Sequence, residues 1–334
     1  MKFRCKNLLI TGGAGFIGSN FIDYLLKKNK SIKIYNLDKL TYAGSLKNTK
    51  SFQNHKNYKF IKGDICDENL LKKIFKDHKI DGVINFAAES HVDNSINNPS
   101  LFFETNINGV YCLLQTAYRF WMKSPHLTKK EYAHARFHQI STDEVYGSIE
   151  KGSADENSKY FPNSPYSASK ASADMLVRSY YKTYGLNITI SISSNNFGEN
   201  QHGEKFIPKI IDCLKNEFEI PVYGTGKNIR NWIYVLDNCK AILKIFNEAK
   251  TGETFNVGSN FELSNLDLIN VIHKMIYKIS SNEKKIKFIK DRFGHDFRYS
   301  IKSNKLINNL NFSYDHDFYE SLNNYINKKI KYVK

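Results

Sequence analysis

The sequence predicts an α/β fold, a doubly wound parallel sheet with a smaller C-terminal substrate-binding domain, and three observations carry that reading. Short apolar strand-like runs alternate with helix-like runs through the first half, the pattern of successive βαβ units. A glycine-rich turn, Thr11-Gly12-Gly13-Ala14-Gly15-Phe16-Ile17-Gly18, joins the first strand to the first helix, which makes the sheet of Rossmann type. Beyond about residue 195 the alternation weakens, and Gly/Asn-rich loops separate shorter elements.

In order, residues 7–11 form an apolar strand, 15–28 a helix and 32–38 a second strand, and Tyr58–Lys62 a third, closely followed by Asp64. Val83–Ala87 and Phe137–Ser141 continue the sheet, and Trp232–Leu236 is expected to rejoin it. The helical stretches at about 101–122 and 166–184 are apolar over a broad face, so each can pair with its copy in a homodimer. The division is residues 1–195, with 230–247 returning to them, and residues 196–334, across an interleaved boundary.

With 334 residues and 41% hydrophobic content, the chain is long enough to bury a substantial core. Its longest early apolar runs, Leu8-Leu9-Ile10 and Phe16-Ile17, are far too short to span a membrane, and no export signal is read, so a cytoplasmic protein without a membrane partner is expected. The five cysteines (Cys5, Cys66, Cys112, Cys213, Cys239) are odd in number and scattered, with neither Cys-x-x-Cys nor a metal-spaced His, so they read as reduced thiols and no metal is expected. The formal charge of +16 comes from lysines dispersed along the chain and not from a basic stripe, so nucleic acid is not an expected partner, although a basic surface could steer an anionic substrate.

Glycines at 12, 15 and 18 allow a tight turn, close approach of a pyrophosphate and tight helix–strand packing, while the helix N-terminus offers free N–H groups. Their spacing is Gly-x-x-Gly-x-x-Gly. Asp38, about twenty residues on at a strand end, is placed to accept from a ribose and to repel a 2′-phosphate, so the cofactor expected is NAD. Asp64 and Ile65 can flank the adenine, or simply end a strand.

Tyr166 and Lys170 lie one helical turn apart, where an ammonium can favour an ionised phenol. The same spacing recurs at Tyr24/Lys28, Tyr58/Lys62, Tyr223/Lys227 and Tyr325/Lys329, but only Tyr166 follows a helix start, with Ser164 as cap and Pro165 in the first turn. The helix dipole is expected to lower the phenol further. Ser141-Thr142-Asp143-Glu144-Val145-Tyr146-Gly147 follows the strand ending near Ser141. Neighbours in a strand point to opposite faces, so Asp143 and Glu144 can serve one substrate only if a turn or helix starts at 142–146. An acid, a base and a Tyr/Lys pair together suggest an elimination coupled to an oxidation.

These residues resemble a known family, the nucleotide-diphosphate-glucose 4,6-dehydratases of the extended short-chain dehydrogenase/reductase superfamily, best known for dTDP-glucose. The resemblance runs nearly end to end: the glycine turn, Thr41-Tyr42-Ala43-Gly44, Ala87-Ala88-Glu89-Ser90-His91-Val92-Asp93, Ser141–Gly147, Tyr166–Lys170, Glu204-Lys205 before Ile207-Pro208, Arg230-Asn231-Trp232, and Gly294-His295-Asp296 with Arg298-Tyr299. It implies that NAD is held by Gly12, Gly15, Phe16, Ile17, Gly18, Asp38, Asp64, Ile65, Ala87, Tyr166 and Lys170 and is not consumed. It also implies that Tyr166, helped by Lys170, takes the C4 hydroxyl proton while Thr142 holds the C4 oxygen. Glu144 then removes the C5 proton, Asp143, its pKa raised by burial and by Glu144, protonates the departing C6 hydroxyl, and the hydride taken from C4 returns to C6, leaving a 4-keto-6-deoxy sugar nucleotide on the way to deoxysugars such as rhamnose. Substrate contacts implied by the same resemblance are Ser90, Thr142, Asn195, Glu204, Lys205, Arg230, Asn265, His295 and Tyr299, with Arg230 as a bidentate phosphate fork and Lys205 as a point charge.

Bacterial dTDP-glucose enzymes usually carry Arg-Asp-Trp and Tyr-Gly-Pro where this chain has Arg230-Asn231-Trp232 and Phe197-Gly198-Glu199, so the resemblance leaves dTDP-glucose and UDP-glucose both open. The rival readings are a UDP-glucuronate decarboxylase, a UDP-sugar 4-epimerase and a non-catalytic NAD-binding regulatory protein. Asp143 discriminates against the first two, since neither needs an acid to expel a C6 hydroxyl.

Overall fold

The computed structural model describes residues 4–259, 261–277 and 285–331. Its first part runs β1 (Asn7–Thr11), α1 (Phe16–Lys28), β2 (Lys33–Asp38), β3 (Tyr58–Lys62), α2 (Glu68–His78) and β4 (Gly82–Asn85). Then come α3 (Val92–Asn97), α4 (Pro99–Phe103), a π-helical turn at Glu104–Asn108, α5 (Gly109–Trp121), and the hairpin β5 (Met122–Ser124) and β6 (Leu127–Thr128). β7 (Arg136–Thr142), a 3-10 turn at Asp143–Tyr146, α6 (Pro165–Tyr184) and β8 (Ile188–Ser193) complete it. The second part comprises β9 (Asn195–Phe197), α7 (Phe206–Lys215), β10 (Ile220–Tyr223), β11 (Ile229–Tyr234), α8 (Val235–Glu248) and β12 (Glu253–Val257). It continues with β13 (Glu262–Ser264), α9 (Asn265–Tyr277), β14 (Ile286–Ile289), α10 (Asn304–Leu310) and α11 (Phe318–Lys331).

Seven strands in the order β12-β8-β7-β4-β1-β2-β3 form one parallel sheet, the doubly wound architecture expected. All six residues of β8 are buried, as a parallel strand covered on both faces requires. On one face Leu71, Phe75, Leu113, Trp121 and Val177 bring α2, α5 and α6 onto the sheet; on the other, Phe21, Leu25, Cys239, Ile242 and Phe246 bring α1 and α8. Each such side chain, fully buried, stabilises the fold by roughly 1.5–3 kcal/mol. A third core, with Phe197, Ile207, Trp232, Leu268 and Phe318, holds the C-terminal layer, whose sheets are β13-β11-β9 and β10-β14.

Three sequence expectations are corrected. The strand read at Trp232–Leu236 does not rejoin the large sheet: β11 pairs with β9 and β13, because Trp232 packs into the C-terminal core, and the place beside β8 is taken by β12. Of residues 230–247, α8, directly after β11, returns to the first layer. The strand read to Ala87 ends at Asn85; Phe86 N still bonds the Thr11 carbonyl at 3.0 Å, and the backbone of Ala87 then lies against Gly12. The single helix read at 101–122 is α4 and α5 joined through the π-helical turn.

Candidate active site

The glycine loop is shaped by contacts that no side chain could share. Gly12 has φ +69°, and a Cβ there would lie 2.6 Å from the Ala87 backbone nitrogen; one on Gly18 would lie 2.4 Å from the Gly12 carbonyl oxygen. Gly15 caps α1 without a side-chain hydrogen bond, so first-turn amides remain free, an arrangement suited to an anion. Asp38 accepts from Ala14 N at 2.9 Å and from Leu40 N at 2.8 Å, which ties the strand end to the loop. Burial nevertheless raises its pKa. Asp64 pairs with Lys39 at 2.7 Å and accepts from Cys66 N at 2.9 Å.

These groups border a cavity of about 350 Å³, with Gly12, Gly15, Phe16, Ile17, Gly18, Asp38, Asp64, Ile65 and Ala87 on one side and Thr142, Glu144, Tyr166, Lys170 and Asn195 on the other. Ser194 Oγ, Asn195 Oδ1 and Gln201 Oε1 are buried on this wall without a hydrogen-bond partner. A glycine-lined cradle with unspent polar atoms fits a polar, anionic ligand such as a dinucleotide.

The helix carrying Tyr166 begins as its sequence predicts: Ser164 accepts from Ser167 N at 3.1 Å, Ser167 returns the bond to Ser164 N at 3.0 Å, and Pro165 opens the helix. β7 ends at Thr142, whose Oγ1 accepts from Glu144 N at 3.4 Å and starts the 3-10 turn. The turn breaks the strand alternation. Glu144 faces the cavity, while Asp143, 3% exposed, lies behind its wall with Oδ1 accepting from Thr142 Oγ1 at 3.4 Å and Oδ2 without a partner.

Burial, then the charge of Glu144, pushes the Asp143 carboxyl well up. Burial also raises Glu144, but Arg292, Arg230 and Lys205 act in the opposite direction. Lys170 is driven down to about 8 by burial. Its Nζ donates to the Ile140 carbonyl at 2.6 Å and not to the phenol. The expected lowering of Tyr166 is therefore corrected: burial and the charge of Glu144 hold the phenol well above 10, with a contact to Thr142 opposing them.

The remaining expected residues divide. Lys205 lines the cavity and donates to the Ser90 carbonyl at 2.9 Å, and the Ser90 hydroxyl meets that of Tyr42 at 3.2 Å. Glu204 lies outside the lining, 3.6 Å from both His91 and His202. Arg230, His295 and Tyr299 form one cluster: the guanidinium lies 4.2 Å over the Tyr299 ring, donates to His295 Nε2 at 2.9 Å, and spends its other terminal N–H groups on the carbonyls of Ile229, Asp296 and Phe297. Its bidentate fork is thus already occupied. Tyr299 donates to Asp296 at 2.9 Å and reaches Glu144 at 3.4 Å. Asn265 starts α9, its N–H on the Asn228 carbonyl, and does not line the cavity.

Sequence reasoning missed Arg292, the cation with most influence on Glu144, which pairs with Asp93 at 3.6 Å. Nothing in its local pattern marks it, because it reaches the site from a loop after β14. The two departures in sequence resolve into packing. Asn231 donates to the Ser259 carbonyl at 2.5 Å and accepts from Ser259 N at 3.0 Å, and Phe197 is buried in the C-terminal core. Among the described residues no helix is long and apolar enough to cross a membrane, and no group of three His, Cys, Asp or Glu is arranged to hold a metal ion.

The family model described as GDP-mannose 4,6 dehydratase matches residues 9–325. Low-salt glycan biosynthesis protein Agl12 of Haloferax volcanii is 46% identical, covering 90% of this chain and 91% of its own length. The dTDP-glucose 4,6-dehydratase of Xanthomonas campestris pv. campestris is 42% identical over 90% of this chain and 87% of its own. Among solved structures, DesIV, a dTDP-glucose 4,6-dehydratase from Streptomyces venezuelae with NAD and TYD bound, superposes with a TM-score of 0.89 at 36% identity, covering 97% of each chain.

Proposed function

The chain belongs to the nucleotide-sugar 4,6-dehydratase family, and from that premise we propose that Thr142, Asp143, Glu144, Tyr166 and Lys170 carry its reaction on dTDP-glucose. The protein is an NAD-dependent hydro-lyase that converts a nucleoside-diphosphate glucose to its 4-keto-6-deoxy derivative. The observation that carries the residue assignment is the convergence of Thr142, Glu144, Tyr166 and Lys170 on one cavity wall with the partnerless carboxyl of Asp143 directly behind it.

Bound NAD would supply an acceptor for the hydride leaving C4 and, after water loss, a donor of that hydride to C6, and so would be regenerated within each turnover. The glycine loop with Asp38, Asp64, Ile65 and Ala87 would hold it, and residues of the C-terminal layer the nucleotide sugar. Tyr166 would take the C4 hydroxyl proton, with Thr142 on the C4 oxygen. To take that proton the phenol must first be ionised, which burial and the charge of Glu144 oppose; the ammonium of Lys170, on the same helix face, would be the counter-charge that favours the phenolate. The ketone at C4 acidifies the C5–H, which Glu144 would remove; the raised pKa of Glu144 makes it a stronger base, and the opposing cations keep it ionised. Asp143 would give its proton to the C6 hydroxyl, which leaves as water.

Lys205 is the group best placed for the diphosphate, with Ser90 and Asn195 on the same wall. Arg230 would act by holding His295 and Tyr299 and through its charge on Glu144. A homodimer through α4, α5 and α6 is supported by Leu101, Phe103, Tyr111 and Met175, all exposed on those helices. The five free cysteines agree with a cytoplasmic location.

Purified protein and NAD incubated separately with dTDP-glucose and UDP-glucose, and assayed for the alkali-induced absorbance of a 4-keto-6-deoxy sugar, test the nucleotide. The dTDP sugar is expected to turn over faster. Faster turnover of UDP-glucose reverses the base assignment, and no product from either overturns the reading of the site.

A further inference from the structure

One turn beyond the lysine on α6 lies a carboxylate that no step above uses. Asp174 is 0% exposed. Its Oδ2 accepts from Ser141 Oγ at 2.5 Å and from the Tyr160 hydroxyl at 3.3 Å, and its Oδ1 has no hydrogen-bond partner. Lys170 precedes it by four residues, so both side chains rise from the same helix face. The two are tied to consecutive residues of β7: Lys170 Nζ to the Ile140 carbonyl, and Asp174 to the Ser141 hydroxyl. Thr142 follows directly, so the strand end that carries the reacting groups holds a buried cation and a buried anion side by side.

We propose that Asp174 is a positioning residue for the dehydration, a buried counter-charge that keeps Lys170 in its ammonium form and aimed at the end of β7. The inference rests on the reading that Lys170 assists Tyr166. An ammonium buried without a counter-charge is so costly that it sheds its proton instead. Asp174 is the charge that opposes the burial of Lys170, and it is itself held at about 6 with Lys170 and Arg178 favouring its ionised form. The other groups facing it are Ser141 from β7, Tyr160 from the loop before α6 and Tyr146 from the 3-10 turn, and the charge of Asp174 raises both phenols. At pH 7 and above, the carboxylate is therefore the ionised member of this group that can face the lysine.

Asp174→Asn preserves an acceptor for Ser141 and Tyr160 and removes the charge, placing an amide NH2 where Oδ1 has no partner. With Lys170 starting from about 8, a fall to roughly 7 should move the alkaline limb of kcat/KM to lower pH, a loss of about tenfold at pH 8.5 and less than about twofold at pH 6.5. A lower rate with an unmoved limb would overturn the inference, because a merely structural role predicts that result. A second readout needs no turnover: thermal midpoints of Lys170→Met, Asp174→Asn and the double variant. The counter-charge reading expects Asp174→Asn to destabilise the wild-type background and to be neutral or stabilising in the Lys170→Met background, and the double variant to fold even where the single does not. Equal losses in both backgrounds would sink it. Normal turnover by Lys170→Met would remove the underlying role of the lysine. An inactive Lys170→Met with an unmoved Asp174→Asn profile would remove only the role of Asp174.

Discussion

Replacing Asp143 by asparagine separates the two halves of the proposed reaction. The amide is isosteric and still offers an oxygen to Thr142 Oγ1, so the 3-10 turn is preserved, while the proton held at the partnerless oxygen is lost. General-acid assistance is worth about 10²–10⁴-fold, or roughly 3–5 kcal/mol of barrier. The C6 hydroxyl is a poor leaving group, and Asp143 is the buried carboxyl next to Glu144 in the chain, which places the expected loss of dehydration in the upper half of that range. Glu144 and the Tyr/Lys pair are untouched, so oxidation at C4 and proton removal at C5 should continue. In deuterium oxide the recovered substrate should therefore gain one deuterium at C5, read by mass spectrometry, while 4-keto-6-deoxy product accumulates about 10³–10⁴-fold more slowly than with wild type, as expected for a lost general acid. Product at the wild-type rate would refute the assignment of Asp143. Loss of C5 exchange together with dehydration would show instead that the carboxyl supports an earlier step.

The same substitution should stabilise the fold at neutral pH. The folded pKa of Asp143 lies above its unfolded value of about 3.9, so its contribution is fully present below that pH and is lost as pH rises toward the folded value. Thermal melts of Asp143→Asn and wild type should diverge in favour of the variant from pH 4 to pH 8, and a constant difference would contradict the buried, protonated acid. Gly12→Ala places a methyl 2.6 Å from the Ala87 nitrogen at φ +69°, so it should cost about 1–3 kcal/mol in urea unfolding and weaken NAD binding more than about tenfold by calorimetry. Asn231→Asp removes the donor to the Ser259 carbonyl, so a loss of about 1–3 kcal/mol in stability is expected with no change in the dTDP/UDP ratio of kcat/KM; a changed ratio would return this position to base recognition. Met175→Glu on the exposed face of α6 should shift the proposed dimer to monomer in sedimentation velocity.

Local patterns carried the fold and the cradle. The strand–glycine turn–helix order, the Ser164-Pro165 start and the short runs of β1 and β3 depend on neighbours in sequence, and they stand where the residues place them. Tertiary competition decided the rest. Trp232–Leu236 has a strand's composition, but which sheet it joins depends on the core that receives Trp232, and β12, a less conspicuous run beyond α8, holds the place beside β8. Asn231 looked like a change in recognition because the sequence does not show that its amide is complementary to the Ser259 backbone. The Tyr/Lys spacing correctly puts both groups on one helix face, yet it cannot show that the ammonium is drawn to the Ile140 carbonyl or that two carboxyls surround the phenol.

The assignment of acid and base follows from this difference between local and distant information. Asp143 and Glu144 are adjacent, chemically alike and both raised by burial, so sequence can assign their roles only through the family resemblance. The 3-10 turn sends one carboxyl behind the cavity wall and the other to its surface. Distant segments then separate their charges. Lys205, Arg230 and Arg292 come from three different loops and strands and act on Glu144, keeping it able to ionise, whereas Asp143 has Glu144 itself as the leading charge against it. Two carboxyls whose surroundings push them apart are an acid and a base, and the more protected one is the acid. Removing one cation should therefore act selectively: Arg292→Gln should make Glu144 harder to ionise and move the acid limb of C5 deuterium exchange to higher pH, while the stability difference between Asp143→Asn and wild type changes little. An acid limb that did not move would mean that the loop carrying Arg292 holds the site by packing alone.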